Sequence, residues 1–461
     1  MSEPAPFRYG TYRLDPGHSL LSCRYSLGDR QFEERISFPG GGQWDNPAVA
    51  QAARLVFLLA GVSYYKTAAP PVIDLGDHAV IDAERRFLRS FYLDGLGEFA
   101  YRNDLDLSGL RLDGPRLDGP RLDNRHPSST RTEAIQPDDW RAAAPVRPLV
   151  PFGGGIDSIV TVEHVKQRAD AKLFIMSRPG EVFDAIEAPA AVTGLPIVRA
   201  GREIDPQLLR SRDLGFLNGH VPVTGILSAI AVLAAVLDGR DAVIMSNEWS
   251  ASIPTLEVDG RPINHQYSKS AAFEAAFRAV LADSLGTPLS YFSALRPFTE
   301  LWVALRFAGL TQYHGTFRSC NRAFHLDKAL RLDHWCGRCD KCCFIDLILA
   351  PFVPAAELDK IFDGREPLAD PDPADSLAGK FRALLGTLPD SKPWECVGEV
   401  GECRAAVLLA AQRPDRAGTG LLQQLALEVA GLPDLQDAEQ LLLPVGEHFI
   451  PDSYAPEDLL V

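Results

Sequence analysis

A short apolar strand that breaks into three glycines and re-emerges as a helix constrains this chain more than any other stretch. It is VRPLVPFGGGIDSIVTVEHVK, residues 146–166. Residues 148–152 are apolar and read as a buried strand, Gly153, Gly154 and Gly155 turn the chain, and a helix follows. Glycines after a strand let backbone N–H groups converge on an anion at a helix N-terminus. Asp157, in the first helical turn, can cap the helix or hold Mg²⁺ against a phosphate, and Ser158 offers a hydroxyl. A plain capped turn needs less than three glycines followed by Asp-Ser. The spacing lacks the Gly-Lys-Ser/Thr of a Walker A loop and the Gly-x-Gly-x-x-Gly of a dinucleotide site.

From residue 146 onward, strands alternate with helices. The pattern predicts strands over 148–152, 172–177, 196–200 and 242–246, and helices over 158–168, 182–193 and 221–237. Such alternation implies an α/β fold with a parallel, doubly wound sheet. Ligands of these sheets sit at the carboxyl ends of the strands. Those ends carry the glycines, Ser177-Arg178, and Ser246-Asn247-Glu248-Trp249-Ser250, so Ser177 is expected beside a bound nucleotide. Further on, His265 and Lys269 in NHQYSKS are candidate acid–base groups, with Glu248 a third. Arg178, Arg296, Arg322 and Lys269 are candidate cations for an anionic substrate.

Before residue 146 the reading is α+β. A hairpin is predicted over 20–25 and 31–38 around Gly28-Asp29. One helix opens at Asn46-Pro47 and stops at Gly61. Another runs from Asp82 to about 92. The repeat RLDGP-RLDGP-RLDN over 111–124 carries Gly-Pro twice and predicts a loop without regular structure. The expected organisation is an α+β domain over 1–140, a nucleotide domain over 145–365 and a helical region over 366–461.

With 461 residues, 46% hydrophobic and 23% charged, the chain has the composition of an ordinary globular protein. Its net charge of −15 argues against broad nucleic-acid binding. The start has no basic-apolar signal pattern, and the apolar run 221–237 is short for a membrane span, so no membrane partner and a cytoplasmic location are expected. The sequence does not speak to oligomeric state.

Four of the eight cysteines lie in WCGRCDKCCF, and Cys320 precedes Cys336 by sixteen residues. Thiolates two residues apart chelate one ion from a tight turn. Cys336, Cys339 and Cys342 with Cys320 would close a tetrahedral site, with Cys343 as a substitute for Cys342. Zn²⁺ is the default occupant and an iron–sulfur cluster the alternative.

The glycine loop resembles the Ser-Gly-Gly-x-Asp-Ser loop of the PP-loop ATP pyrophosphatases. That resemblance implies ATP and Mg²⁺, a HUP-like sheet, and AMP transfer to a substrate with release of pyrophosphate. Gly154, Gly155, Asp157 and Ser158 match the motif, while Gly153 stands where the motif has serine, so one hydroxyl contact is missing. Taken in order, the loop, SNEWSAS, NHQYSKS, LRPFTEL, SCNRAF and WCGRCDKCCF resemble the MurL family. Tyr64-Tyr65-Lys66 and the late ECVGE, 395–399, add to the likeness. The MurL resemblance implies ATP-dependent epimerisation of UDP-N-acetylmuramoyl-L-alanyl-L-glutamate in peptidoglycan synthesis.

Chemistry makes an adenylating loop sensible for such a reaction. The Cα–H beside a carboxylate is a poor acid, because its loss sets a second negative charge beside the first. An acyl-adenylate removes the first charge. The alternatives are another adenylating reaction, such as tRNA thiolation or amide or nitrile synthesis, and a metal-stapled nucleotide-binding protein.

Overall fold

The computed structural model describes residues 5–117, 146–167, 170–258, 260–325, 328–369, 377–388 and 397–456. In chain order the first part holds β1 (Phe7–Asp15), β2 (Leu20–Leu27), β3 (Arg30–Ser37), α1 (Ala48–Ala60), α2 (Val62–Tyr65), β4 (Val72–Asp74), α3 (Asp82–Leu93), α4 (Gly97–Arg102) and β5 (Arg111–Asp113). The middle part alternates: β6 (Pro148–Pro151), α5 (Ile156–Val165), β7 (Lys172–Ser177), α6 (Asp184–Thr193), β8 (Ile197–Glu203), α7 (Pro206–Leu209), α8 (Val223–Leu237) and β9 (Ala242–Met245). A small hairpin, β10 (Leu256–Val258) and β11 (Arg261–Ile263), precedes α9 (Ala271–Ser284), β12 (Ser290–Ser293) and α10 (Glu300–Ala308). The rest is helical: α11 (Asp340–Leu349), α12 (Ala355–Ile361), α13 (Ala378–Leu384), α14 (Val400–Ala411), α15 (Gly420–Ala430) and α16 (Ala438–Leu441).

Among the described residues, ten strands form one sheet in the order β12-β9-β6-β7-β8-β3-β2-β1-β4-β5. The five strands from β12 to β8 are parallel throughout. The order reverses at β6: the chain steps outward to β7 and β8, then returns to lay β9 on the other side. This reversal opens a crevice at the carboxyl ends of β6 and β9. The glycine loop leaves β6 at that crevice.

The N-terminal hairpin extends the same sheet, because β3 pairs antiparallel with β8 through Ile36 opposite Arg202. Side chains alternate between two cores, as the pleat requires. On β7, Leu173 and Ile175 enter one core and Phe174 the other; on β9, Ala242 and Ile244 oppose Val243 and Met245. Helices α1, α3, α8 and α9 cover one face, and α5, α10, α11, α14 and α15 the other. The apolar run Ala48–Tyr65 has the length and composition to cross a membrane, yet 83% of it is buried inside the structure. It packs on α8.

Two expectations are refined. The first helix ends at Gly61 as expected, yet Gly61 keeps a right-handed φ of −53° and leads the chain directly into α2. A Cβ there would stand 2.7 Å from the Tyr9 hydroxyl, so glycine at this position also admits the tyrosine. The repeat is not wholly irregular: Arg111–Asp113 forms β5, parallel to β4 at the sheet edge, until Gly114-Pro115 stops the ladder. Residues 118–124 of the repeat lie outside the described residues, as do 395 and 396 of the late motif. Strands β1, β4, β10, β11 and β12 carry no sequence assignment; β4, β10 and β11 are three residues long and β12 four, too short to display a period.

Candidate active site

The crevice holds a cleft of about 650 Å³. Its floor is the glycine loop. Gly154 has φ +76°, and a Cβ on it would fall 2.3 Å from the Ala185 carbonyl oxygen, so only glycine lets the loop press onto α6. Gly153, Gly155, Asp157 and Ser158 line the cleft, while Gly154 lies beneath it. Gly155 is the N-cap of α5 and has an extended backbone. Ser158 donates its hydroxyl to the Gly155 carbonyl at 3.0 Å. The first-turn amides of α5 have no acceptor within their own helix and can receive an anion.

Asp157 stands in the first turn of α5, whose N-cap is Gly155. Its carboxylate groups with those of Glu248 and Glu300, ligand atoms all within 4.8 Å of one another. Glu248 and Glu300 are buried, and Glu300 Oε2 has no hydrogen-bond partner. Burial pushes the Glu300 carboxyl well above the usual range; Lys341 opposes this, and Glu248 and Asp157 add to it. Three crowded carboxylates need a proton or a cation, and an all-oxygen donor set suits Mg²⁺. Behind them Glu402 of α14 accepts from Ser250 Oγ and, at 2.9 Å, from the Leu301 amide. Burial pushes Glu402 up to about 8.

One wall of the cleft comes from the segments after β9. His265 and Lys269 line it beside Ser246 and Asn247. His265 Nδ1 hydrogen-bonds Glu98 Oε2 on α4, and the His220 ring lies 4.3 Å from the His265 ring. Lys269 Nζ donates to Gln266 Oε1 at 2.8 Å. The opposite wall is Arg318, Ser319, Asn321 and Lys341.

That second wall grows out of the cysteine cluster. The sulfurs of Cys320, Cys336, Cys339 and Cys342 lie within 4.8 Å of one another. The Cys336–Cys342, Cys339–Cys342 and Cys320–Cys339 separations are 3.6, 3.4 and 4.0 Å. Tetrahedral Zn²⁺ with Zn–S near 2.3 Å needs sulfurs roughly 3.8 Å apart. The backbone N–H groups of Arg338 and Cys339 point at Cys336 Sγ, at 3.4 and 3.3 Å. Cys343 stands outside the group, and burial pushes its thiol up, which favours an inert SH.

Other expected residues sit elsewhere. Ser177 ends β7, but its hydroxyl donates to the carbonyls of Arg178 and Glu181 at 3.2 and 3.0 Å, within its own turn. Phe174 and Met176 are the β7 residues that line the cleft. Arg296 is 1% exposed, too buried to serve as a substrate cation. It donates to Glu274 Oε2 at 2.8 Å, the Glu248 carbonyl at 2.9 Å and the Lys269 carbonyl at 2.6 Å, and so ties the site's segments together. Arg322 is exposed on the short turn Asn321–Phe324. Arg318 and Lys341 supply positive charge in the cleft instead. Their only sequence signal is adjacency, two residues before Cys320 and one before Cys342. Glu300 and Glu98 carry no signal as site residues.

Comparison with known proteins gives one answer. The MurL N-terminal domain family matches residues 1–294 and the MurL C-terminal domain family residues 316–440. A protein of Xanthomonas oryzae pv. oryzae named UDP-N-acetyl-alpha-D-muramoyl-L-alanyl-L-glutamate epimerase is 38% identical over 453 residues, 96% of this chain and 95% of its own. Proteins of the same name from Salinispora tropica and a Micromonospora species are 38% and 36% identical. They cover 97% of this chain, and 94% and 96% of their own lengths are matched. No solved structure gives a match.

Proposed function

This chain belongs to the MurL family, and on that premise we propose that it inverts Cα of the terminal L-glutamate of UDP-N-acetylmuramoyl-L-alanyl-L-glutamate, consuming ATP, in peptidoglycan precursor synthesis. One observation carries the link to ATP: the glycine loop and Asp157, one of three clustered carboxylates, line the same cleft as His265 and Lys269. The PP-loop reading of that loop is part of the proposal.

The α-carboxylate of the glutamate attacks the α-phosphorus of ATP, and pyrophosphate leaves. Amides at the start of α5, with Arg318 and Lys341, hold phosphate oxygens. Asp157, Glu248 and Glu300 would hold Mg²⁺, which supplies charge neutralisation for the pyrophosphate. The acyl-adenylate lacks the carboxylate's charge, so a base in the cleft can take the Cα proton. An acid returns a proton to the opposite face. Water then cleaves the acyl–phosphate bond and frees AMP and the D-glutamyl product. His265 and Lys269 are the residues proposed for the proton transfers. Cys320, Cys336, Cys339 and Cys342 would hold one structural Zn²⁺.

Incubation with ATP, Mg²⁺ and the UDP-muramoyl dipeptide tests this. AMP and pyrophosphate should accumulate in step with D-glutamate. AMP without inversion would assign the loop to another adenylating reaction; inversion without AMP would remove ATP from the mechanism.

A further inference from the structure

We propose that Glu98 is the positioning carboxylate of an acid–base dyad with His265, so that helix α4 of the N-terminal part belongs to the active site. The proposal rests on the epimerase reading above and adds a residue to it.

The two residues are 167 positions apart and meet behind the cleft wall. Both are secluded: the side chains of Glu98 and His265 are 4% and 10% exposed. A buried carboxylate is costly unless its oxygens find donors. Glu98 finds two, with Oε2 accepting from His265 Nδ1 and Oε1 from Arg102 Nη1 at 3.1 Å. Burial alone would push the Glu98 carboxyl up; the hydrogen bonds from His265 and Arg102, with the charge of His265, together outweigh it and hold the group below its usual range. Glu98 therefore stays ionised, and an ionised carboxylate only accepts. The proton must then sit on His265 Nδ1, which makes Nε2 the basic nitrogen. A base fixed in this tautomer by a buried carboxylate is the arrangement that lets imidazole take a proton and keep the resulting cation stable.

The surroundings hold the ring in place. The His265 amide donates to Thr255 Oγ1 at 3.2 Å, and the neighbouring Asn264 side chain donates to the Ala251 carbonyl at 2.9 Å. His220 packs against the other side of the ring. Burial and the nearby His265 push His220 down to about 4, so at neutral pH it adds no charge to the pair. The His220 loop is itself fixed from the N-terminal part: Lys66 Nζ donates to Asn218 Oδ1 at 3.0 Å and to the Gly219 carbonyl at 3.1 Å. Glu98, His220 and His265 also have the composition of a metal-binding triad. The direct Glu98–His265 bond, with Arg102 on the other carboxylate oxygen, favours the dyad.

The test is Glu98→Gln in the full-length enzyme, read by two rates: AMP formation, and deuterium entry at Cα from D₂O. Exchange should fall about 10²–10⁴-fold, the usual worth of a positioned acid–base group, and by at least tenfold more than AMP formation. Histidine ¹⁵N spectra of the wild type should show His265, assigned by loss of its signal in His265→Asn, as the Nδ1–H tautomer. In Glu98→Gln that signal should move toward a tautomer mixture. Parallel loss of both rates with an unchanged His265 signal would overturn the proposal. So would wild-type exchange in Glu98→Gln, an Nε2–H tautomer in the wild type, or a stoichiometric metal that His220→Ala releases. The wild-type spectrum decides even if the variant does not fold. Absence of deuterium in the wild-type product would instead remove the epimerase reading.

Discussion

The two walls of the cleft are held by opposite means. The wall carrying His265 and Lys269 is fixed by the fold. Arg296 is fully buried between Glu274 and two backbone carbonyls, Glu98 is buried beneath His265, and α9 packs behind them. The wall carrying Arg318, Ser319 and Asn321 has a short 3-10 turn, with exposed residues at 321 and 322, and Lys341 joins it from the first turn of α11. Its anchor is four cysteines, Cys320 between Ser319 and Asn321, and Cys342 after Lys341. One wall is held by buried polar networks; the other hangs on four cysteines that, on the proposed reading, share an ion. The residues proposed for proton transfer sit on the first, and cations suited to phosphates on the second.

Removing the ion should therefore break the walls apart, with the largest effect. Chelation, or Cys339→Ser, should lower the melting temperature and abolish AMP formation, because metal-binding free energy in such a knuckle is folding free energy. The His265 ¹⁵N signal should survive if the first wall is independent. Elemental analysis of freshly purified protein should find about one Zn²⁺ or an iron–sulfur complement; finding neither would dissolve the contrast.

The floor serves both walls and should be next in size. Asp157→Asn should lower AMP formation by about 10²–10³-fold, the scale of losing one electrostatic stabiliser. Its melting temperature should hold or rise, since the change removes one of three crowded carboxylates. Full activity in this variant would remove Asp157 from the mechanism.

The smallest effect lies behind the floor. Glu402 has its carboxyl pushed up to about 8 by burial, above its value in an unfolded chain. In the window between those values the folded state holds a proton that the unfolded state has lost, so stability falls as pH rises. Urea midpoints at pH 5 and pH 8 should show this decline, and Glu402→Gln should flatten it. An unchanged slope would place the titration elsewhere.

The sequence made one kind of feature legible. Gly153 to Ser158 read as an anion loop because every needed residue is consecutive, and the strand order then brings the loop to the sheet's reversal point. Cys336, Cys339 and Cys342 read as ligands because spacing alone brings them together. The Glu98–His265 pair was not legible, since a bond spanning 167 positions leaves no local pattern. Arg296 shows the converse error. A motif-adjacent arginine looks alike whether it meets a substrate or is buried on Glu274, and only packing decides. The end of β7 at Ser177 is legible from the apolar run, but the carbonyls its hydroxyl meets depend on the fold of the following turn. Glu300 followed LRPFT as an ordinary helix start, and only the tertiary fold sets it against Asp157.

The central claim is that ATP cleavage and proton exchange at Cα occur in one cleft on one substrate. Turnover of the UDP-muramoyl dipeptide with ATP and Mg²⁺ in D₂O tests it most directly. Deuterium should appear at Cα of the D-glutamyl product, with one AMP released for each inversion. Inverted product free of solvent deuterium, or AMP released with the L-configuration and Cα–H intact, would contradict it.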